Sequence, residues 1–322
     1  MKPLLFSASA FALLALPVAV SAETWKMSAH APDGNYLTQT ARSFAEDVER
    51  LTDGALKIDV VSNSVLLKRA DLKRGVQRGI VPIGEVLVSA LGNEDAIYSA
   101  DAVPLLATTF EDAKKLWDAT KPIYQEKFAE DGLVMLYSAP WPPQGIYMQT
   151  EVKDASSFEG VKFRAYNPAT ARLAELMGAV PATIATSEIS QAFSTGVISG
   201  MITSPTTGVD SQAWDYVPYY YDVKAFIPKN VILVNKDAYD ALPADVAAAV
   251  QEASDLAEAR GWEAAVAATK SATDTLAENG MQVIETPEGL RADFDTIAKT
   301  MSAEWAAETG EEGQAVIDAL SK

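Results

Sequence analysis

Glu159-Gly160-Val161-Lys162-Phe163-Arg164-Ala165-Tyr166-Asn167-Pro168 opens the stretch that decides the fold of this 322-residue chain. Lys162 to Arg164 reads as a short strand opening on an arginine, and Asn167-Pro168 starts a helix with a polar residue and a proline. That helix runs to Met177-Gly178-Ala179, and Pro181 follows. Ser187-Glu188-Ile189-Ser190-Gln191-Ala192-Phe193 then initiates a second helix, leading to Thr195-Gly196-Val197-Ile198-Ser199-Gly200. An arginine at such a strand end can aim a planar five-donor fork at a carboxylate in the cleft beyond.

Working outward, the chain reads as α/β throughout. Thr24 to Ala29 is a strand with Pro32-Asp33-Gly34 as its exit loop. A helix spans Tyr36 to Leu51, with Phe44, Val48 and Leu51 on one face and Asp53-Gly54 as the stop. Leu56 to Val61 alternates as a second strand, Leu66 to Arg78 reads as a basic amphipathic helix, and Pro82 to Val88 is a third, buried strand. Strand–helix–strand–helix–strand implies parallel pairing with right-handed crossovers, the first lobe of a doubly wound fold. Ligands of such sheets sit at the carboxyl ends of the strands, which points to loops 30–35 and 89–93.

After the strand Leu133 to Tyr137, Trp141-Pro142-Pro143-Gln144-Gly145 is a proline-rich crossing into a second block. That block carries the Arg164 strand, two helices and an aromatic loop at Trp214, Tyr216 and Tyr219 to Tyr221. Val231 to Val234 is a further strand. Pro243 to Asn279 has no internal proline and is alanine-rich, so it reads as one long helix, with Gly261 as a candidate kink.

Composition narrows the function. There are no cysteines, which removes disulfides, thiol nucleophiles and thiolate metal sites and is compatible with an oxidising compartment. The formal net charge of −18 argues against nucleic acid and anionic membranes as partners. It would also repel an anionic solute, so any acid must be held by local positive groups. At the N-terminus, Met1-Lys2, the apolar run Leu4 to Val20 and the small residues Val20-Ser21-Ala22 read as a cleavable export signal over residues 1–22.

Residues 159–205 as a whole resemble the solute-binding proteins of tripartite ATP-independent periplasmic (TRAP) transporters, the DctP-like family. The resemblance implies a two-lobed periplasmic-binding-protein fold with a cleft between the lobes and a long helix across both. It divides the chain into lobe I, residues 23–141 with 230–269, and lobe II, residues 142–229 with 270–322. It further implies a periplasmic protein that captures an organic acid by hinge closure and hands it to membrane permease subunits, with no cofactor, no metal and no catalysis. A monomer is the default, because no heptad repeat or dimer face is evident.

By the same resemblance Arg164 grips the solute carboxylate and Asn167, three positions on, assists; from the residues alone, Asn167 reads equally well as a helix cap beside Pro168. Glu85, beside Gly84, faces either the solute or a basic partner. His30 and Asn35 lie in the loop after the first strand, Thr203 and Ser204 where the chain turns back toward the cleft, and Trp141 and Trp214 could stack on a solute. Two departures matter. Many members have a second arginine in a Gly-aromatic-Arg stretch, where this chain has Gly145-Ile146-Tyr147, and the usual Asp-Gly is Ser199-Gly200. Tyr147 offers a hydrogen bond but no charge. Both favour a monocarboxylate, with an aromatic or branched hydroxy or keto acid as the expectation. The alternatives are a periplasmic sensor subunit binding the same solute and a carboxylate-dependent hydrolase. An enzyme finds little footing, since there is one histidine, no Gly-x-Ser-x-Gly elbow and no glycine-rich phosphate loop.

Overall fold

The computed structural model describes residues 23–320, so the export signal expected over residues 1–22 lies outside the described residues. Lobe I begins with β1 (Glu23–Ser28), α1 (Tyr36–Leu51), β2 (Leu56–Val61), α2 (Leu72–Gln77), β3 (Ile83–Leu87), α3 (Phe110–Glu130) and β4 (Leu133–Pro140). β1 pairs in parallel with both β2 and β3, as the helical crossovers require. α1 buries Leu37, Ala41, Phe44 and Val48, a stripe at helical spacing, and Asn35 caps it by accepting the Leu37 N–H at 2.9 Å. β3 is buried along its whole length, the signature of a strand covered on both faces.

The helix expected over Leu66–Arg78 is shorter. Residues up to Lys68 form a loop with Asn63 and Ser64 at positive φ, a 3-10 turn covers Arg69–Asp71, and only then does α2 start. Leu67 folds back against Gly75, where a Cβ would lie 2.3 Å from its Cδ1. The turn carries Arg69 toward the gap between the lobes.

Lobe II follows with β5 (Gly145–Met148), β6 (Lys162–Ala165), α4 (Pro168–Leu176), β7 (Val180–Thr183), α5 (Ile189–Ser194), β8 (Gly200–Thr203), α6 (Pro205–Asp210) and β9 (Tyr219–Asp222). The aromatic run Tyr219 to Tyr221 is therefore a strand and not a loop, and Tyr220 and Tyr221 are fully buried. β10 (Lys229–Asn235) returns to the first sheet between β3 and β4, giving the order β2-β1-β3-β10-β4. After α7 (Lys236–Asp240) and α8 (Ala244–Glu278), β11 (Gln282–Glu285) joins the edge of the second sheet, whose order is β11-β9-β5-β8-β6-β7. α9 (Glu288–Leu320), broken at Gly310 where φ is 59°, ends the described chain.

α8 is one continuous 35-residue helix, about 52 Å long, packed on α1 and β4 of lobe I and on α6 and β11 of lobe II. Gly261 does not kink it. A Cβ there would lie 3.0 Å from that of Ala139, so the glycine lets the helix approach β4 closely. α9 also spans the lobes, which corrects the assignment of residues 270–322 to lobe II alone. Leu290, Phe294, Ile297 and Met301 join the lobe II core around Phe158 and Phe163, whereas Trp305 and Val316 pack with Trp117, Tyr124 and Phe128 of lobe I.

Two crossing segments lie side by side between the lobes. Trp141 donates its backbone N–H to Pro228 at 2.8 Å, Gln144 to Phe226 at 3.0 Å, and Ala225 to Gln144 at 2.9 Å. The lobes are closed, with side-chain hydrogen bonds reaching across, among them Asn35 Nδ2 to Asp210 Oδ2 (2.7 Å), Asn167 Nδ2 to Ser89 Oγ (3.0 Å) and Arg69 Nη2 to the Tyr166 carbonyl (2.6 Å). The Asn35–Asp210 bond exists only when the lobes meet, and bonds to carboxylates contribute about 1–2 kcal/mol net. Asp210→Ala is therefore expected to weaken solute binding by roughly 5- to 30-fold. Isothermal titration checks this; an unchanged dissociation constant would mean the bond plays no part in closure.

Candidate ligand-binding site

Within lobe II, β6 runs parallel to both β7 and β8, and Arg164 stands in register with Ala182 and Met201. The carboxyl ends of these three strands open toward lobe I, where β1 and β3 end at the same gap. A small cavity lies between them. His30, Arg69 and Leu87 line it from lobe I, and Trp141, Gln144 and Pro228 from the crossing segments. Lobe II contributes Arg164, Tyr166, Thr186, Thr203, Ser204 and Thr207.

Arg164 is only 1% exposed, an unusual state for a guanidinium. Its Nε donates to the Ile184 carbonyl at 3.0 Å and its Nη2 to Thr186 Oγ1 at 3.3 Å, while buried Nη1 has no partner among the described residues. Burial first, and then the charge of Arg69, push its pKa down to about 9, which still leaves it cationic at neutral pH. Arg69 is only partly covered as a residue, but its guanidinium end is drawn into the cavity wall, and burial lowers its pKa as well. The Tyr166 ring lies against both guanidinium groups, 5.5 Å from Arg69 and 5.4 Å from Arg164, and its hydroxyl donates to Gln144 at 3.0 Å. Neither arginine has a carboxylate partner among the described residues. Two enclosed cations around one neutral ring are costly without an anion between them.

The residues singled out from sequence separate into three groups. Arg164, Trp141, His30, Thr203 and Ser204 line the cavity. Asn167 and Glu85 stand behind that wall. Asn167 is the α4 cap, accepting the Thr170 N–H at 2.8 Å while it bridges to Ser89, so the two roles weighed for it resolve toward the cap. Glu85 is paired with His30 at 3.2 Å, the basic-partner alternative. Burial pushes its carboxyl up, but the hydrogen bonds it accepts from His30 outweigh this and hold it below the ordinary range.

Three expected contacts lie elsewhere. Tyr147 turns into the lobe II core, its ring 4.7 Å from that of Tyr220 and its hydroxyl on the Ser204 carbonyl at 3.1 Å, because β5 alternates and places it on the face away from the cleft. Trp214 is half-buried against that same core, and Asn35 serves the lobe-to-lobe bond instead of the cavity. Sequence reasoning missed Arg69, Tyr166, Gln144, Thr186 and Thr207. Arg69 could have been found by applying the strand-end rule to the loop after β2 as it was applied after β1 and β3. Tyr166, two residues beyond Arg164, had no distinguishing sequence signal.

The family model for bacterial extracellular solute-binding proteins, family 7 (DctP), matches residues 27–309. A C4-dicarboxylate-binding periplasmic protein DctP of Rhodobacter capsulatus is 30% identical over 224 residues, 66% of this chain and 65% of that protein. A solute-binding protein of Albidiferax ferrireducens is 24% identical, and the match spans 52% of its length. Among solved structures, DctP7 of Bordetella pertussis, an extracytoplasmic solute receptor binding pyroglutamic acid, shares 53% identity at a TM-score of 0.92, covering 94% of this chain and all of that one. DctP6 of the same organism, also binding pyroglutamic acid, shares 38% at 0.91 over 92% of this chain and 99% of its own. A marine metagenome TRAP solute-binding protein specific for pyroglutamate shares 35% at 0.91, over 93% and 99%. This chain belongs to family 7 of the bacterial extracellular solute-binding proteins, the DctP-like receptors of TRAP transporters.

Proposed function

We propose that this protein is an exported, monomeric TRAP receptor for pyroglutamate or a small cyclic monocarboxylate of similar shape. The carrying observation is the buried Nη1 of Arg164, without a partner among the described residues, with a second arginine on the wall of the same cavity. A carboxylate would accept from Arg164 in the open form, and Arg69 would close on it from the opposite lobe. Closure excludes water and strengthens the ion pair. The binding of pyroglutamate by three receptors at 35–53% identity supports this solute. It favours a small ring over the bulkier aromatic or branched acid expected from sequence. The missing arginine at Tyr147 is compensated from lobe I, and because both guanidinium groups flank one Tyr166 ring they converge on one carboxylate, not two.

The closed surface would be read by the membrane permease subunits, with no chemical change to the solute. Thermal denaturation with pyroglutamate, proline, lactate and C4-dicarboxylates tests the proposal. Pyroglutamate at a hundredfold excess over its dissociation constant should add roughly 2.7 kcal/mol, with little shift from the dicarboxylates. Arg69→Ala should weaken binding by about tenfold or more while leaving the solute-free midpoint near wild type. Stabilisation by dicarboxylates alone would sink the monocarboxylate reading, and turnover of the solute would revive the hydrolase.

A further inference from the structure

We infer that His30, fixed by Glu85, reads the ring N–H of the solute, so that this receptor separates a lactam from rings of the same shape that lack a donor. The inference rests on the receptor reading above and adds to it the group that sets specificity. Glu85 Oε2 accepts the His30 backbone N–H at 3.3 Å and lies 3.2 Å from ring Nδ1. A carboxylate only accepts, so Nδ1 carries the proton and, in the neutral ring, Nε2 presents a lone pair. Trp141 holds the imidazole from its other side at 5.5 Å, and is itself anchored through Nε1 to Asn230 Oδ1 at 2.9 Å. The ring is thus buried, oriented and on the cavity wall, with Nε2 making no hydrogen bond among the described residues.

The other polar side chains of the wall already take part in hydrogen bonds or are of the wrong kind. Arg69 and Arg164 only donate. Ser204 and Thr207 bond each other at 3.0 Å, Thr186 accepts from Arg164, and Gln144 is engaged at both ends of its amide by Tyr166 and Pro142. Among the described wall side chains Thr203 makes no hydrogen bond of its own and is the main competitor to His30, with Thr186 and Thr207 each keeping an acceptor lone pair.

Isothermal titration with three acids tests the assignment: pyroglutamate, its lactone analogue 5-oxotetrahydrofuran-2-carboxylate, and cyclopentanecarboxylate. The wild-type protein should prefer the lactam to the lactone by about 30-fold or more, since the lactone turns an oxygen lone pair toward Nε2. His30→Leu should bring that ratio to within about threefold, with cyclopentanecarboxylate, which has no ring donor, reporting the change in affinity common to all three acids. Glu85→Gln, of the same size, can donate to Nδ1 and so place the proton on Nε2; the ratio should shrink here too, marking Glu85 as a positioning residue. Equal wild-type affinity for lactam and lactone would overturn the assignment while leaving the receptor reading intact. So would a ratio preserved in His30→Leu or lost only in Thr203→Val. If no cyclic acid bound at all, the receptor reading would fail and this inference with it.

Discussion

Arg164→Ala is expected to lower the affinity for the solute by about 2–5 kcal/mol, roughly 30-fold to several thousand-fold in dissociation constant. The side chain is held at its base by the Ile184 carbonyl and Thr186, so little ordering remains to be done when the carboxylate arrives. Its unpartnered Nη1 is desolvated before binding, and the closed cavity keeps the dielectric low. The cost of enclosing this cation beside Arg69 is borne in the unliganded closed form, so the alanine variant should show no comparable loss of folding stability. Titration of the purified variant beside its denaturation curve separates the two effects. Affinity within threefold of wild type would remove Arg164 from the site.

A second large effect is expected in folding stability. Asp101 and Lys229 are both about 1% exposed; the carboxylate accepts the Lys229 backbone N–H at 2.8 Å and lies 3.6 Å from its ammonium, at the foot of the second crossing segment. Asp101→Ala would leave the ammonium buried and unpaired, at a cost of about 3–5 kcal/mol in urea denaturation at neutral pH. The double variant Asp101→Asn with Lys229→Met should recover most of that loss. Burial pushes the Asp101 pKa up to about 6 despite the pull of Lys229. A carboxyl raised in the folded state stabilises fully below its unfolded value near 4, and that contribution fades as pH rises through about 6. The wild-type protein should show this slope between pH 4 and 6, and Asp101→Asn should not. A single variant within about 1 kcal/mol of wild type would mean that water reaches the pair.

What could be read from the chain follows from how local each signal is. α1 and β2 have the bounds that periodicity implies, and Asn167-Pro168 starts a helix as a cap and a proline should. These are decided within a turn or two of backbone. β9 was hidden because three consecutive tyrosines give no alternation, and the latter half of α9 belongs to lobe I because Trp305 and Val316 pack into the core around Trp117 there. Neither fact is local.

By itself, the sequence determined the α/β class, the parallel start of lobe I, the family, and an arginine at the end of β6 facing the cleft. Each depends on side-chain period, on the stereochemistry of caps and crossovers, or on a motif some forty residues long. Only the tertiary structure decided that Arg69 joins Arg164 around Tyr166, that Glu85 is spent on His30, and that Tyr147 belongs to the core. Those outcomes depend on which strand faces meet when two sheets close on each other, and on which buried charges then find partners; residues separated by up to 97 positions become neighbours, and no local pattern encodes such distances.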